Sequence, residues 1–347
     1  MRPTIHVGTA ARNGGAGLHP LRLSPDAQWV GGDAFADARN ASFAAYAARH
    51  DRYYLVDEQS DGAVGTFRLG TDGWQAVART ATQGAEPCYV ALNPDETRLA
   101  IANYGSGSIA IFGLDDASGV PVDPPAIRPN SGSGPIGDRQ DGPHAHCVCF
   151  GPDGRWLFHV DLGTDEILAY AADDGPDLIG ERQVAFAAPP GSGPRHLVFH
   201  PTLPFAVLAS ELASTLTVLR VDGGKLTALH RISTLPADFS GTSIAGHLGL
   251  NHAGDRIYVT NRGHDSVAIY AWNDGGMPRL LQHAPSGGAS PRAFVLLEAE
   301  GLFLLVNEQG ANVTVFSIRP DGTLAPCHQD IAVAGAVFLF LPPPPKP

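Results

Sequence analysis

"DGPHAHCVCFGPDGRWLFHVDLGTDEILAY", residues 141–170, holds three short apolar runs separated by turn residues. The second run ends in Asp161 and the third in an aromatic ring. The runs show no 3.6-residue period, so they read as strands of a β-meander. The same order recurs along the chain in "YYLVDEQSDGAVGTF", "LAIANYGSGSIAIF", "AVLASELASTLTVL", "IYVTNRGHDSVAIY" and "FLLVNEQGANVTVF". The anchor residues are Asp57, Asn103, Asp161, Ser210, Asn261 and Asn307, with gaps of 46, 58, 49, 51 and 46 residues. A period of about 50 residues, rich in β-branched and aromatic residues, is the signature of propeller blades.

A second register lies 15 residues before each anchor, at Ser42, Cys88, His146, Arg195, Gly246 and Arg292. Several of these open an apolar strand, as in "CYVALNPDETR", "HCVCFGPDGR" and "RHLVFHPTL". Each is then the first strand of a hairpin whose second strand ends at the anchor. In an antiparallel hairpin the start of one strand lies beside the end of the next. The two registers therefore predict a shared rim at one end of every blade.

The termini supply the last blade. "TIHVGTAARN" reads as a second strand with Gly8 at the anchor, and "AVAGAVFLFL", residues 332–341, as its missing first strand. The expected fold is all-β: a seven-bladed β-propeller whose ring is closed by the C-terminal strand completing the N-terminal blade, which removes exposed sheet edges. Residues 1–347 are read as a single domain, ordered over about 5–341, with a Pro-rich tail at 342–347. Length alone would suggest about two domains, but a repeat architecture overrides that count.

Composition narrows the function. The net charge of −12 disfavours nucleic acid, whose phosphates need a basic surface. No apolar stretch approaches 18 residues and no signal-peptide pattern opens the chain, so no membrane partner is expected. The four cysteines, Cys88, Cys147, Cys149 and Cys327, form no CxxC pair and read as reduced thiols of a cytoplasmic protein. Cys147 and Cys149 read as small core residues.

The residues that follow the anchors are Thr9, Glu58, Tyr104, Leu162, Glu211, Arg262 and Glu308. With the register before the anchors, they put His146, Arg195, Arg262, Arg292, Glu58, Glu211 and Glu308 on the rim. Arginines there suit a carboxylate or phosphate. A histidine or glutamate suits proton transfer near neutral pH. The bland alternative is an Arg–Glu network that satisfies itself and lines a wet channel. His144 and His146 lie two apart, on one strand face if side chains alternate. A metal would need further ligands (His247 and Glu211 are candidates), but no fixed-spacing motif is present, so neither metal nor cofactor is expected. Tyr104, His247 and His264 are candidates for substrate contact. His159, His196 and His200 read as packing or turn residues, and Asp161 and Asp265 as turn organisers.

The segments "PHAHCVCFGPDGRWLFHVDLGTDEILAY", "GSGPRHLVFHP", "ISTLPADFSG", "YVTNRGHDSVAIY" and "PRAFVLLEAEGLFLLVNEQGANVTVF" resemble the seven-bladed lactonase family. That family includes cytoplasmic bacterial 6-phosphogluconolactonases and fungal carboxymuconate lactonizing enzymes. The resemblance spans about residues 5–341 and implies His146, Arg195, Glu211 and Arg262 as the catalytic set. It implies a cytoplasmic enzyme of carbohydrate metabolism that hydrolyses 6-phosphoglucono-1,5-lactone in the pentose phosphate route. Water would attack the carbonyl, with His146 or Glu211 as base. Substrate contacts would come from His144, Arg292, Glu58, Tyr104, His247, His264 and Glu308. The expected partner is a small anionic sugar lactone, and the expected state a monomer or weak homodimer. Two departures stand out: the N-terminal "TAARNGGAGLHPLRLS" is weakly patterned, and in "SIAGHLGLNHAGD" His247 is one residue off register. A carboxymuconate-type cycloisomerase, a lactonase for another substrate and a non-catalytic binding propeller remain as alternatives.

Overall fold

Each predicted blade is a four-stranded antiparallel sheet in the computed structural model, which describes residues 3–172, 178–273 and 276–343. The predicted tail, 342–347, lies outside the described residues from 344 onward. Seven such sheets follow one another, the order of a seven-bladed β-propeller. The first strands of blades two to seven are Ala44–Ala47, Pro87–Leu92, Ala145–Phe150, Pro194–Phe199, Ile244–Leu250 and Pro291–Leu297. In blade one the first strand is the C-terminal segment Ala336–Phe340, paired with Thr4–Thr9. The chain ends thus meet in one sheet, as the missing strand required.

The described chain forms two compact units, each considered on its own. One holds residues 40–199 and 221–227, and contains blades two, three and four. The other holds residues 3–39, 200–220 and 228–343, and contains blades one, six and seven. Blade five has strands in both. Within each unit the first strands of successive blades lie against one another.

Packing follows from strand composition. The second strands, such as Arg52–Asp57 and Arg98–Asn103, are buried on both faces after their first residue. They therefore read as continuous apolar runs, whereas the fourth strand Leu324–Ala332 alternates in exposure. Between blades two and three, Val56, Val64, Val90, Ile101 and Phe112 form a dry layer. Tyr54 spans these blades with its hydroxyl donating to Gly119 O at 2.6 Å. Tyr258 does the same from blade six to Gly322 O of blade seven at 2.9 Å. Both acceptor glycines have positive φ, which gives the receiving turn its shape.

The anchor side chains tie the second strands to neighbouring turns and linkers. Asp161 Oδ1 accepts from the amides of His144, Gly163 and Thr164 at 2.9, 2.9 and 3.1 Å. Asn261 Nδ2 donates to Thr234 O at 2.9 Å, and Asn307 Nδ2 donates to Ser286 O at 3.4 Å. Asp161 organises the turn after its strand, as its position suggested, whereas Asn261 and Asn307 hold the segment that leaves the preceding blade.

Candidate active site

The two sequence registers do lie side by side. The amides of four post-anchor residues donate to the carbonyl two residues before the matching register position: Tyr104 to Glu86, Leu162 to His144, Glu308 to Ser290 and Glu58 to Asn40. The pairing also reveals what the first register is. In blade three Pro87 faces Asn103 and Tyr89 faces Ala102, so the ladder register shifts at Cys88. His146 stands in the same position between Ala145 and Cys147, and Arg292 between Pro291 and Ala293. Each is the extra residue of a β-bulge, which re-aims a side chain out of the strict alternation.

Blade six follows a variant of this rule. Gly246 and His247 together face Thr260 alone, and the His247 amide donates to Thr260 Oγ1 at 2.8 Å. A side chain at Gly246 would run into that hydroxyl, so glycine is required there. The apparent one-residue slip of His247 is this bulge. The His247 ring turns edge-on to Phe294 at 4.8 Å.

In the unit of blades two to four, His146 and Arg195 are both buried, and Arg195 Nη1 lies 2.5 Å from His146 Nε2. A guanidinium can only donate, so Nε2 is the acceptor. His146 is therefore the neutral imidazole with its proton on Nδ1. That nitrogen is 3.9 Å from Cys88 Sγ. Tyr104 stands edge-on to His146 at 5.5 Å and stacks on His144 at 4.6 Å. His144 precedes the strand, and strand alternation does not relate it to His146. Its Nδ1 lies 3.1 Å from Tyr104 O and its Nε2 3.3 Å from Asp141 Oδ1. His196, read from the sequence as packing, meets His146 edge-on at 5.6 Å and Tyr89 at 5.4 Å. It is part of the wall behind the His146 ring. Glu58 follows Asp57, whose own carboxylate takes Arg79 at 3.1 Å.

In the other unit Arg262 Nη2 lies 2.8 Å from Glu211 Oε2 and also donates to Ala245 O at 3.2 Å. Glu211 is 1% exposed, so this carboxylate is a buried one with a guanidinium on it. Arg292 Nη1 donates to Glu308 Oε2 at 3.1 Å. Burial alone would raise the Glu308 carboxyl, but Arg292, Arg262 and Arg12 outweigh it and hold the group below its usual range. His264 Nδ1 lies 2.7 Å from Ser266 Oγ, and its ring is edge-on to Phe239.

The sequence reasoning named most of these residues but missed four: His196, Cys88 as a neighbour of His146, and Arg12 with Asn13 beside Glu308. Cys88 held the right register and was passed over because a thiol there carries no charge. Arg12 and Asn13 lie in the weakly patterned N-terminal turn, where no repeat count reaches. Among the described residues no group of three or more His, Cys, Asp or Glu is arranged to hold a metal ion. Among the described residues no helix is long and apolar enough to cross a membrane.

The family model described as "Lactonase, 7-bladed beta-propeller" matches residues 4–340. A Bacillus subtilis protein named 6-phosphogluconolactonase is 27% identical over 318 residues, covering 90% of each chain. A crystal structure of a Lactobacillus plantarum protein is 28% identical with a TM-score of 0.89, covering 99% of this chain and 100% of that one. A Pseudomonas aeruginosa periplasmic gluconolactonase is 26% identical with a TM-score of 0.90, at the same coverage. With its seven four-stranded blades and a match over nearly its whole length, this chain belongs to the seven-bladed β-propeller lactonase family.

Proposed function

We propose that this lactone hydrolase acts on 6-phosphoglucono-1,5-lactone, opening it to 6-phosphogluconate in the cytoplasm as a step of the pentose phosphate route. The observation that carries the chemistry is the buried contact between Arg195 Nη1 and a neutral His146 Nε2. The lactone carbonyl takes the place of the imidazole on Arg195, which then faces the developing oxyanion. Nε2, released, accepts a proton from the attacking water. The ring C–O bond breaks, and the proton on His146 goes to the departing ring oxygen, which becomes a hydroxyl. Water is consumed, and the base returns to its neutral form. Glu211, held against Arg262, is the other candidate base.

The names of two relatives support the substrate class and differ on phosphate. The Bacillus relative is named for the phosphorylated lactone and the Pseudomonas neighbour for gluconolactone. A cytoplasmic place fits the four free thiols.

The test is hydrolysis of both lactones, followed as proton release, with the unmodified protein, His146→Ala and Glu211→Gln. Loss of kcat by about 100-fold in His146→Ala, with a smaller loss in Glu211→Gln, assigns the base to His146. The reverse order assigns it to Glu211. Full kcat in both variants overturns the mechanism, and no turnover of either lactone overturns the substrate assignment.

A further inference from the structure

The N-terminal turn that breaks the repeat pattern is a built element. After the strand Thr4–Thr9, residues Ala11–Asn13 form one turn of 3-10 helix, closed by Gly14 in the left-handed region. Thr9 Oγ1 donates to Gly17 O at 2.6 Å and accepts from Gly17 N at 3.0 Å. The Ala10 amide donates to Gly335 O at 2.8 Å, which pins the turn to the start of the C-terminal strand. A Cβ at Gly15 would lie 2.5 Å from Thr9 Oγ1, and one at Gly335 would lie 2.6 Å from Gly15 N. Two close backbone approaches thus fix where Arg12 and Asn13 stand.

They stand over Glu308. Arg12 Nη2 is 4.0 Å from Glu308 Oε1, and Asn13 Nδ2 donates to the same oxygen at 3.4 Å. Arg292 holds the other oxygen, Oε2, at 3.1 Å. One carboxylate therefore sets two guanidiniums on its two sides. The Arg12 side chain is 53% exposed and the Arg292 side chain 16%, so the cluster opens to solvent on the Arg12 side. A guanidinium has five N–H donors in a planar fork, which lets it hold a carboxylate and a second oxyanion together.

We propose that Arg12, Asn13 and Arg292, positioned by Glu308, form the subsite for a phosphate monoester on the substrate. The inference rests on the lactonase reading above, with the chemistry at Glu211 and Arg262 of the same unit, and adds the specificity element to it: the Arg262 charge also acts on Glu308. Arg12 comes from the 3-10 turn of blade one, so selection for a phosphorylated lactone sits in the segment that departs from the repeat.

The experiment compares kcat/KM for 6-phosphogluconolactone and glucono-1,5-lactone in the unmodified protein, Arg12→Ala and Arg12→Lys. The ratio of the two values should fall about 10-fold or more in Arg12→Ala, with partial recovery in Arg12→Lys, since lysine keeps the charge and loses the fork. Inorganic phosphate should inhibit the unmodified protein and do so more weakly in Arg12→Ala. An unchanged ratio overturns the proposal, whether or not overall activity falls. If the unmodified protein turns over neither lactone, the functional reading fails by itself. Calorimetric titration with inorganic phosphate then decides the subsite: binding weakened by Arg12→Ala supports it, and equal binding or none overturns it.

Discussion

His146 shows how a single neighbour sets the chemistry of a side chain. Arg195 has no lone pair to offer, so its contact with Nε2 requires an unprotonated nitrogen. Its positive charge also opposes formation of the imidazolium. Removing that charge should make His146 easier to protonate. In Arg195→Ala, the His146 ring followed by NMR should titrate at higher pH than in the unmodified protein. An unmoved or lower midpoint would mean that the 2.5 Å contact does not govern the ring in solution. The catalytic candidates were legible at this scale because they are ionisable and recur at one spacing. Cys88, Arg12 and His196 were not, because a thiol is silent in a charge count, an unrepeated turn has no register, and an aromatic contact across blades has no sequence spacing.

The first strands of blades one, three, four, six and seven carry a bulge, which periodicity does not foresee. Counting 15 residues back found Cys88, His146 and Arg292 correctly, yet strict alternation would have faced them wrongly. Periodicity reports which residues are apolar and cannot report that one of them is skipped by the ladder. Gly246 marks the tightest case. Gly246→Val would force a branched side chain against Thr260 Oγ1 and within 3.0 Å of Pro291 O. It should cost about 1–3 kcal/mol in urea unfolding. A loss below about 0.5 kcal/mol would show that the bulge can open to admit it.

The joined terminal strands make a second prediction of this kind. His6 is buried in the strand Thr4–Thr9 and stacks on Phe340 at 5.6 Å. Burial, aided by the Arg22 charge, lowers its pKa from 6.5 to about 4. The unfolded chain therefore binds a proton that the folded chain refuses. Stability is complete above pH 6.5 and falls as the pH drops towards 4, by about 3 kcal/mol at most. His6→Leu should flatten that limb of the stability curve, as read from urea midpoints at pH 7 and pH 4.5. An equal slope in both proteins would remove His6 as its cause.

At the scale of the whole molecule, a net charge of −12 opposes an anionic substrate. The screening length is about 30 Å at 10 mM salt and about 8 Å at 150 mM. At low salt the lactone feels the whole chain, and at higher salt only the nearby arginines. Raising salt over this range should increase kcat/KM for 6-phosphogluconolactone by a few-fold and leave neutral glucono-1,5-lactone nearly unaffected. A fall for the phosphorylated lactone would mean that the local arginines dominate even at long range. Blade number and the joining of the chain ends were readable from repeat spacing and from one orphan strand at each end. Which arginine meets which carboxylate was not, since Arg12 and Glu308 are brought together across nearly the whole sequence.

The bulge in the first strand has a consequence for how such a protein can change. Pro87 and Tyr89, Ala145 and Cys147, Pro291 and Ala293 carry the ladder, while Cys88, His146 and Arg292 stand between them where its register shifts. A mutation at one of these slots alters what the blade offers a ligand and leaves the pairing of its neighbours in place. Folding and ligand choice are thereby assigned to adjacent but separate residues, and a new preference can be acquired one blade at a time without re-registering a sheet.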